Sequence, residues 1–305
     1  MSTAARKRSS WRTGLGRLSQ YAPVEGSQSL NFEPGQSTNG PSIAICTPSY
    51  NQADYLDGTI SSVLSQGYPN LDYWVQDGAS TDASPDILSR WAESGLRYES
   101  APDDGQADAI NKGLAQVDGD VMAWLNSDDL LLPGSLDAVA QTFTKHPDVD
   151  VVYGHRILID GDGRDIGRWI MPKHEDEILS WADYIPQETM FWRRSLWDKV
   201  GGLDGSFRFA LDWDLILRFR DAGANFHRIP RFLGAFRIHE EQKTSAQIES
   251  LGNQEMDRLR TRAKGRPVTE REIWEKTKPY MAKASVYSAM WKLGLVDYGD
   301  SRIDR

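Results

Sequence analysis

The sequence predicts an α/β protein in which helices flank a mainly parallel sheet. From Ser42 onward, short apolar segments alternate with longer segments whose apolar residues recur at three- and four-residue spacing. Strands that alternate with helices in this way build parallel sheets covered on both faces. The 305 residues, of which 39% are hydrophobic, are enough to fill such a core. In sheets of this kind, ligands bind at the carboxyl ends of the strands.

The predicted strands are short apolar runs that end in polar, turn-forming residues. Along the chain they are SIAICT, LDYWVQ, LRYES, DVMAWL and DVDVVYGHRILI. Four predicted helices separate them. The first is ADYLDGTISSVLSQ, with Leu56, Ile60, Val63 and Leu64 on one face; the second carries Ile87, Leu88 and Trp91; the others are GQADAINKGLAQV and PGSLDAVAQTFTKH.

Composition divides the chain into three parts. Residues 1–41 are rich in Ser, Gly, Pro and Gln, which predicts an N-terminal extension draped on the core. Residues 42–247 form the α/β domain, and the charged residues 248–305 predict a helical C-terminal extension. The last helix carries an apolar stripe of Tyr280, Ala284, Tyr287 and Trp291. Packing of this stripe on the domain is favoured over dimerisation or contact with a membrane.

Charge and cysteine content exclude several classes of protein. The net charge of -9 argues against a nucleic-acid partner, since no basic excess is available to neutralise phosphates. Cys46 is the only cysteine, which excludes a disulfide framework and a cysteine-built zinc site. No apolar run spans a bilayer and no signal peptide begins the chain, so a cytoplasmic location is expected. The basic stretch from Arg6 to Arg17 is interpreted as a solvated tail, with peripheral contact at the inner face of the membrane left open.

Polar residues follow four successive predicted strands. They are Tyr50 and Asn51, then Asp77 to Asp82, then Asp103 to Gln106, and then Asn126 to Asp129. Turn chemistry or helix capping explains any one of these clusters alone. Their shared position at strand ends predicts that they meet at one rim of the sheet.

Asp128 and Asp129 differ from the other clusters because the apolar segments VMAWL and LLLP crowd both sides of the pair. Adjacent carboxylates at the end of a buried strand repel each other and lose hydration, so a cation is expected beside them. Oxygen ligands favour Mg²⁺ or Mn²⁺, and Mg²⁺ binds carboxylates together with phosphate oxygens. The sequence contains neither GxxxxGKS/T nor GxGxxG after the first strand. The metal would therefore carry most of the charge of a nucleoside diphosphate leaving group.

Five motifs in order resemble the family 2 inverting glycosyltransferases, which have a GT-A fold with a Rossmann-like sheet. They are TPSYNQ, SVLSQGYPNLDY, QDGASTD, DDGQADAINKGL and AWLNSDDLLLPGSL, within a likeness that spans residues 42–244. The resemblance implies transfer of a sugar from a UDP- or dTDP-sugar to a hydroxyl of a glycan or lipid-linked acceptor. Synthesis of a surface polysaccharide or glycolipid is the implied role. Residues 42–130 would form the nucleotide half and residues 131–247 the acceptor half.

The resemblance also assigns donor-side roles by position. Nucleoside binding is implied for Pro48, Tyr50 and Asn51, reading of the base for Asp77, and contacts to ribose and phosphates for Asp103, Gln106, Asn111 and Lys112. Asn126, Asp128 and Asp129 match the family's Asp-x-Asp region, which holds the metal and the donor sugar. Asn126 stands where Asp is usual, which leaves open whether Asp128 or Asp129 binds the metal.

ALDWDLILRF resembles the family's Glu-Asp-x-Asp-Leu stretch at a helix start, with Leu211 in place of Glu. Inverting transfer needs a carboxylate that takes the proton of the attacking hydroxyl, and the resemblance gives this role to Asp212. From spacing alone, capping of the helix by Asp212 is equally favoured. Acceptor contacts are implied for Gln187, Glu188, Trp192 and Asp214, and a metal or phosphate ligand for His239 in a loop that includes Lys243.

Two other classes fit part of the pattern. A non-catalytic nucleotide-sugar-binding or scaffold protein would not need Asp212, and the departures at Asn126 and Leu211 keep that alternative open. A sugar nucleotidyltransferase would carry a Gly-rich loop with Arg or Lys after the first strand, where this chain has TPSYNQ. The sequence leaves the donor sugar, the acceptor and the oligomeric state open.

Overall fold

The computed structural model describes residues 19–24, 40–239 and 251–298. Its strands are β1 (Ile43–Ser49), β2 (Leu71–Asp77), β3 (Arg97–Ser100), β4 (Val121–Trp124), β5 (Leu130–Leu131), β6 (Val151–Asp160), β7 (Asp165–Trp169), β8 (Phe191–Arg193) and β9 (Phe226–Ile238). Its helices are α1 (Ala53–Leu64), α2 (Ser84–Glu93), α3 (Gln106–Leu114), α4 (Ser135–Lys145), α5 (Asp176–Leu179), α6 (Arg194–Val200), α7 (Leu211–Asp221), α8 (Asn253–Lys264) and α9 (Glu270–Lys292).

The strands form one mixed sheet in the order β3-β2-β1-β4-β8-β6-β9-β5, with β7 paired to β6. β1 to β4 are mutually parallel, and β8 runs antiparallel to both of its neighbours, β4 and β6. As a result, β6 and β9 run in the same direction as the first four strands. The predicted α/β class with a mainly parallel sheet is confirmed, whereas the antiparallel strands β5, β7 and β8 were not predicted.

The centre of the sheet is buried on both faces, which explains its continuous apolar sequence. Every residue of β1 and of β4 is buried. Helix α3 lies so close to β1 that a Cβ on Gly113 would collide with the Sγ of Cys46. Cys46 is thus a small buried core residue, as expected from its apolar segment.

Helix α9 of the C-terminal extension packs on the domain through its apolar stripe. A capping box between Thr269 and Glu272 begins α9. Tyr280 and Ala284 of this helix are buried. Tyr287 and Trp291 pack against a second apolar cluster that includes Phe232 of β9. The expected packing of the stripe on the domain is confirmed.

No helix in the described ranges is both long enough and apolar enough to cross a bilayer.

Part of the N-terminal segment contacts the edge strand β7. Tyr21 Oη donates to Asp165 Oδ1 at 2.7 Å, and the backbone N–H of Val24 donates to the carbonyl of Asp165 at 3.0 Å. The basic stretch from Arg6 to Arg17 lies outside the described residues.

Trp192 lies on β8 in the core, because β8 is inserted between β4 and β6. Its side chain is fully buried, and its ring centroid lies 5.5 Å from that of Trp124 and 5.7 Å from that of Trp197. The structure therefore places Trp192 in packing contacts and not on an open surface.

We predict that Trp192→Ala lowers the free energy of unfolding by about 3–5 kcal/mol, because it leaves a cavity among three aromatic rings. Urea denaturation followed by fluorescence measures this loss. Trp274→Ala, at a half-exposed position on α9, is the matched control and should cost far less. Equal losses for the two variants would contradict the core position of Trp192.

Candidate active site

One large cavity of about 1100 Å³ opens at the carboxyl ends of the parallel strands. Loops that follow β1, β2, β3 and β4 line one side of it. The segments 183–188 and 208–213 line the other side. The four strand ends thus meet at one rim, as the rule for parallel sheets requires.

Most of the residues singled out in the sequence line this cavity. These are Pro48, Tyr50, Asn51, Asp103, Gln106, Asn126, Asp128, Asp129, Gln187, Glu188, Asp212 and His239. Five others lie outside its lining: Asp77, Asn111, Lys112, Trp192 and Asp214. Lys243 lies outside the described residues.

The loops after β1 and β2 form an open slot at the mouth. The Tyr50 ring is 61% exposed there. A Cβ on Gly78 would lie 2.6 Å from Asp103 Oδ2 and 3.3 Å from the Tyr50 ring, so only glycine leaves this space open. Asn51 is held in a left-handed conformation, and its Oδ1 accepts the backbone N–H of Thr81 at 2.8 Å. The two loops are therefore fixed before any ligand binds.

Asp77 lies beneath this slot and is fully buried. Its carboxylate accepts hydrogen bonds from the backbone N–H and the Oγ of Ser80, at 2.9 and 2.5 Å. It also accepts one from Ser100 Oγ at 2.6 Å. These contacts join the loop after β2 to the end of β3.

The other residues outside the lining make structural contacts. Asn111 bonds both the N–H and the carbonyl of Leu203, at 2.9 and 3.0 Å. Lys112 pairs with Asp108 at 2.7 Å on the half-exposed face of α3. Asp214 is fully buried and pairs with Arg218 and Arg262.

Asp128 and Asp129 have different surroundings although they are neighbours in sequence. Asp128 Oδ2 faces the cavity and lies 3.1 Å from His239 Nε2. Asp129 is buried, and its Oδ1 accepts the backbone N–H of Arg237 at 3.1 Å. Burial and the negative charges of Asp128 and Glu188 raise the pKa of Asp129 well above its usual value.

The amide of Asn126 links three segments that line the cavity. Its Oδ1 accepts from Gln106 Nε2 at 2.9 Å, and its Nδ2 donates to Gln187 Oε1 at 3.2 Å and towards Asp129 Oδ2 at 3.4 Å. A carboxylate at this position could not donate to Asp129 and would add a third negative charge. The departure from the family's usual Asp is thus explained by a hydrogen-bond network.

The chemistry of Asp128 and His239 fits a divalent ion. Two cis ligands on an octahedral Mg²⁺ or Mn²⁺, each about 2.1 Å from the ion, lie about 3.0 Å apart. Asp128 Oδ2 and His239 Nε2 lie 3.1 Å apart, a hydrogen-bond distance that is also close enough for both to bind one ion. Across residues 19–24, 40–239 and 251–298, no group of three His, Cys, Asp or Glu side chains is placed to hold a metal. The described protein would therefore supply two ligands and leave the others to substrate oxygens and water.

Asp212 is the second residue of α7, and Ala210 occupies the N-cap position. Asp212 Oδ1 accepts the N–H of Trp213 at 2.8 Å, so it satisfies one N–H of the first turn while it lines the cavity. Burial raises the pKa of Asp212, against the opposing effects of this N–H and of Arg156. The sequence-based alternatives of cap and base are thus geometrically compatible.

Asp183 was missed in the sequence because no motif surrounds it. It lines the same cavity, next to the segment 184–188. Loss of hydration within the cavity raises the pKa of the Asp183 carboxyl well above its usual value, and the charge of Asp212 raises it further. The side of the cavity formed by segments 183–188 and 208–213 therefore holds two interacting carboxyl groups.

Arg156 on β6 is the buried cation of the site and was also missed, although a charged residue within an apolar strand was its signal. Its Nε donates to Glu188 Oε1 at 2.8 Å, and its Nη2 donates to Glu188 Oε2. The guanidinium lies between the rings of Trp169 and Phe236, 5.1 and 4.5 Å from their centroids. Its charge also attracts Asp129, Asp183 and Asp212.

The fold and the site define a glycosyltransferase with a GT-A-type fold. The family model described as "Glycosyl transferase family 2" matches residues 44–212. The chain therefore belongs to glycosyl transferase family 2. The family and the GT-A fold expected from the five motifs are confirmed.

Individual relatives agree with this assignment. An uncharacterized glycosyltransferase of Mycobacterium tuberculosis is 34% identical over 189 residues, which are 59% of this chain and 70% of that protein. The putative teichuronic acid biosynthesis glycosyltransferase TuaG of Bacillus subtilis is 30% identical over 148 residues, covering 48% of this chain and 57% of TuaG.

Solved structures share the fold at low sequence identity. TarS 1–349 of S. aureus in complex with UDP-GlcNAc superimposes with a TM-score of 0.59 at 17% identity, covering 76% of this chain and 69% of that one. The mannosyltransferase PcManGT of Pyrobaculum calidifontis in complex with GDP-Man and Mn²⁺ gives a TM-score of 0.58 at 19% identity, covering 88% of this chain and 79% of that one.

We predict that Arg156→Met lowers the free energy of unfolding by about 3–5 kcal/mol at neutral pH, because Glu188 is left as a buried, unpaired charge. Adding Glu188→Gln to this variant should restore part of the loss. The control is Arg164→Met, which breaks a surface ion pair with Asp160 and should cost about 1 kcal/mol or less. Chemical denaturation measures all three variants, and equal losses for Arg156→Met and Arg164→Met would contradict this role of the buried pair.

Proposed function

We propose that this glycosyltransferase is metal-dependent and inverting, and that it transfers a sugar from a UDP- or dTDP-sugar to a hydroxyl of a glycan or lipid-linked acceptor. The observation that carries the proposal is the shared cavity, in which Asp128 and His239 lie on the nucleotide side and Asp212 on the other side. The name of the Bacillus subtilis relative supports a role in building a surface polysaccharide. The UDP-GlcNAc in the TarS complex supports a uridine-type donor.

The donor would bind across the ends of β1 to β4. The exposed Tyr50 ring provides a face for the base, within the slot that Gly78 leaves open. Pro48 and Asn51 shape the slot, and Asp77 reads the base from below it or holds the loops that do so. Asp103 and Gln106 lie nearest the ribose and phosphates, whereas the contacts of Asn111 and Lys112 favour support of α3.

Asp128 and His239 would hold a Mg²⁺ or Mn²⁺ ion at the diphosphate. A bound ion of this kind neutralises charge on the leaving diphosphate. The Mn²⁺ present with GDP-Man in the PcManGT complex supports this assignment. Asp129 is buried and hydrogen-bonded to the backbone of Arg237, so its role is to fix the strand end and not to face the ion.

The acceptor hydroxyl would attack the anomeric carbon from the face opposite the diphosphate. The new bond forms between the hydroxyl oxygen and this carbon while the bond from the carbon to the phosphate oxygen breaks. Asp212 takes the hydroxyl proton, and the nucleoside diphosphate leaves with the electron pair of the broken bond. Gln187, Glu188 and Asp183 lie beside this path, while the burial of Trp192 and Asp214 favours indirect roles. A non-catalytic scaffold would not need the half-buried Asp212 carboxylate facing the cavity.

We predict that UDP or dTDP binds more tightly with Mn²⁺ than with a chelator, and that Asp128→Asn or His239→Ala removes the metal-dependent part. Each of these variants removes one of the two side chains that would bind the ion. Isothermal titration calorimetry measures the affinity. Asp86→Asn, which removes an exposed carboxylate on α2, should bind like the wild type. Metal-independent binding that the Asp128 and His239 variants leave unchanged would contradict the metal site.

We predict that Asp212→Asn lowers kcat by about 10²–10⁴-fold with nucleotide affinity preserved, because a general base is lost. Asp221→Asn, at the exposed end of the same helix, is the control and should keep full activity. Sugar transfer is followed by release of the nucleoside diphosphate. Activity of Asp212→Asn equal to that of the control would contradict the role of base.

The pH dependence of transfer follows from the surroundings of Asp212. Its pKa is raised by burial, and it must be ionised to accept a proton, so activity falls with acid at a pH above the ordinary range of Asp, about 3.9. The pKa of Asp183 is raised further than that of Asp212, so Asp183 is already neutral where Asp212 titrates, and Asp183→Asn should leave this acidic limb in place. The pH profile of kcat/KM measures the limb in the wild type and in Asp183→Asn, and a displaced limb in the variant would contradict this order of protonation.

A further inference from the structure

We propose that helix α8 of the C-terminal extension is part of the catalytic centre, with Glu255 as a positioning residue for Asp212. The proposal rests on the proposed function, in which Asp212 is the base. Glu255 lies beyond residues 44–212, the part of the chain that the family model matches.

Glu255 binds the segment that leads into α7. Its Oε1 accepts the backbone N–H of Arg208 at 2.8 Å, and its Oε2 accepts those of Phe209 and Ala210, both at 2.9 Å. All three of these residues line the cavity. The Glu255 side chain is buried, with an exposed fraction of only 6%. One buried carboxylate therefore fixes three consecutive backbone groups just before Asp212.

Glu255 binds the N-cap residue of α7 and the two residues before it. The N–H groups at the start of a helix, beginning with that of the N-cap residue, have no acceptor within the helix. Ala210 occupies the N-cap, and its N–H is the one of these groups that Glu255 accepts. Asp212 Oδ1 accepts another, the N–H of Trp213. A negative charge at this end also interacts favourably with the helix dipole.

Helix α8 holds α7 at a second point, on the other side of Asp212. Arg262 Nη1 donates to Asp214 Oδ1 at 2.6 Å, and Asp214 is fully buried. Asp212 thus lies between two anchors, Glu255 at residue 210 and Arg262 at residue 214. Met256 of the same helix lines the cavity.

The segment that Glu255 holds also reaches across the mouth of the cavity. Arg208 Nη1 donates to the carbonyl of Asp104 at 2.7 Å, in the loop that follows β3. A Cβ on Gly105 would lie 2.5 Å from this nitrogen, so glycine permits the approach. The donor-side loop and the segment before Asp212 are therefore connected by one hydrogen bond from the Arg208 side chain.

The expected consequence is a loss of turnover without an equal loss of donor binding. A base must lie within hydrogen-bond reach of the acceptor hydroxyl, and a displacement of about 1 Å costs up to about 100-fold in rate. The nucleotide side is built on β1 to β4 and the loops that follow them, and among the described hydrogen bonds Glu255 reaches it only indirectly, through the contact of Arg208 with the carbonyl of Asp104.

The test compares Glu255→Gln with Asp257→Asn, which makes the same type of change at an exposed carboxylate on α8 paired only within its own helix. Glu255→Gln keeps the shape of the side chain but replaces one acceptor oxygen with a donor. We expect kcat to fall about 10- to 100-fold, with the Kd of UDP and Mn²⁺ within about 3-fold of the wild type. Asp257→Asn should match the wild type in both quantities. Thermal denaturation shows whether each variant is folded at the assay temperature.

A Glu255→Gln variant that retains wild-type kcat would overturn the proposal, as would equal losses of kcat and nucleotide affinity. Should Glu255→Gln not fold, Glu255→Asp keeps the charge on a shorter side chain, and a kcat at the wild-type level in that variant would also overturn it. Asp212→Asn is assayed in parallel. Full activity in Asp212→Asn refutes the role of base, whereas an inactive Asp212→Asn beside a fully active Glu255→Gln refutes only the positioning role.

Discussion

The constraint on which this structure depends is the excess of negative charge at the carboxyl edge of its sheet. Asp128, Asp129, Asp183, Glu188 and Asp212 all line one cavity. Arg156 is the buried cation among them, and its guanidinium is already bound by Glu188 through two hydrogen bonds. Burial and mutual repulsion raise the pKa of three of these carboxyl groups, Asp129, Asp183 and Asp212. A cation bound in the cavity would reduce this repulsion, as the proposed function requires.

The fold brings two sets of segments to the cavity. The loops after the parallel strands β1 to β4 line one side of it. The other side includes the start of α7, which the C-terminal helix α8 holds through Glu255. In the proposed function the first side binds the donor and the second the acceptor, so a helix outside the matched family region would contribute to the site.

Local patterns in the sequence were sufficient to predict the fold class and the rim of the site, because strand ends and motifs are set by nearby residues. They were insufficient for residues whose burial or position depends on segments that are distant in sequence. Trp192 is buried because the antiparallel β8 is inserted beside β4. Asn111 and Lys112 lie about one and a half turns of α3 beyond Gln106, which faces the cavity. Asp183, Arg156 and Glu255 belong to no motif, and only tertiary packing brings them to the site.

The most direct test of the account is the position of Mn²⁺ in crystals grown with UDP, located by its anomalous X-ray scattering. We expect one Mn²⁺ about 2 Å from both Asp128 Oδ2 and His239 Nε2, with diphosphate oxygens as further ligands and the uracil ring against Tyr50. UDP bound in the cavity without Mn²⁺ at these two side chains, or bound elsewhere on the protein, would contradict it.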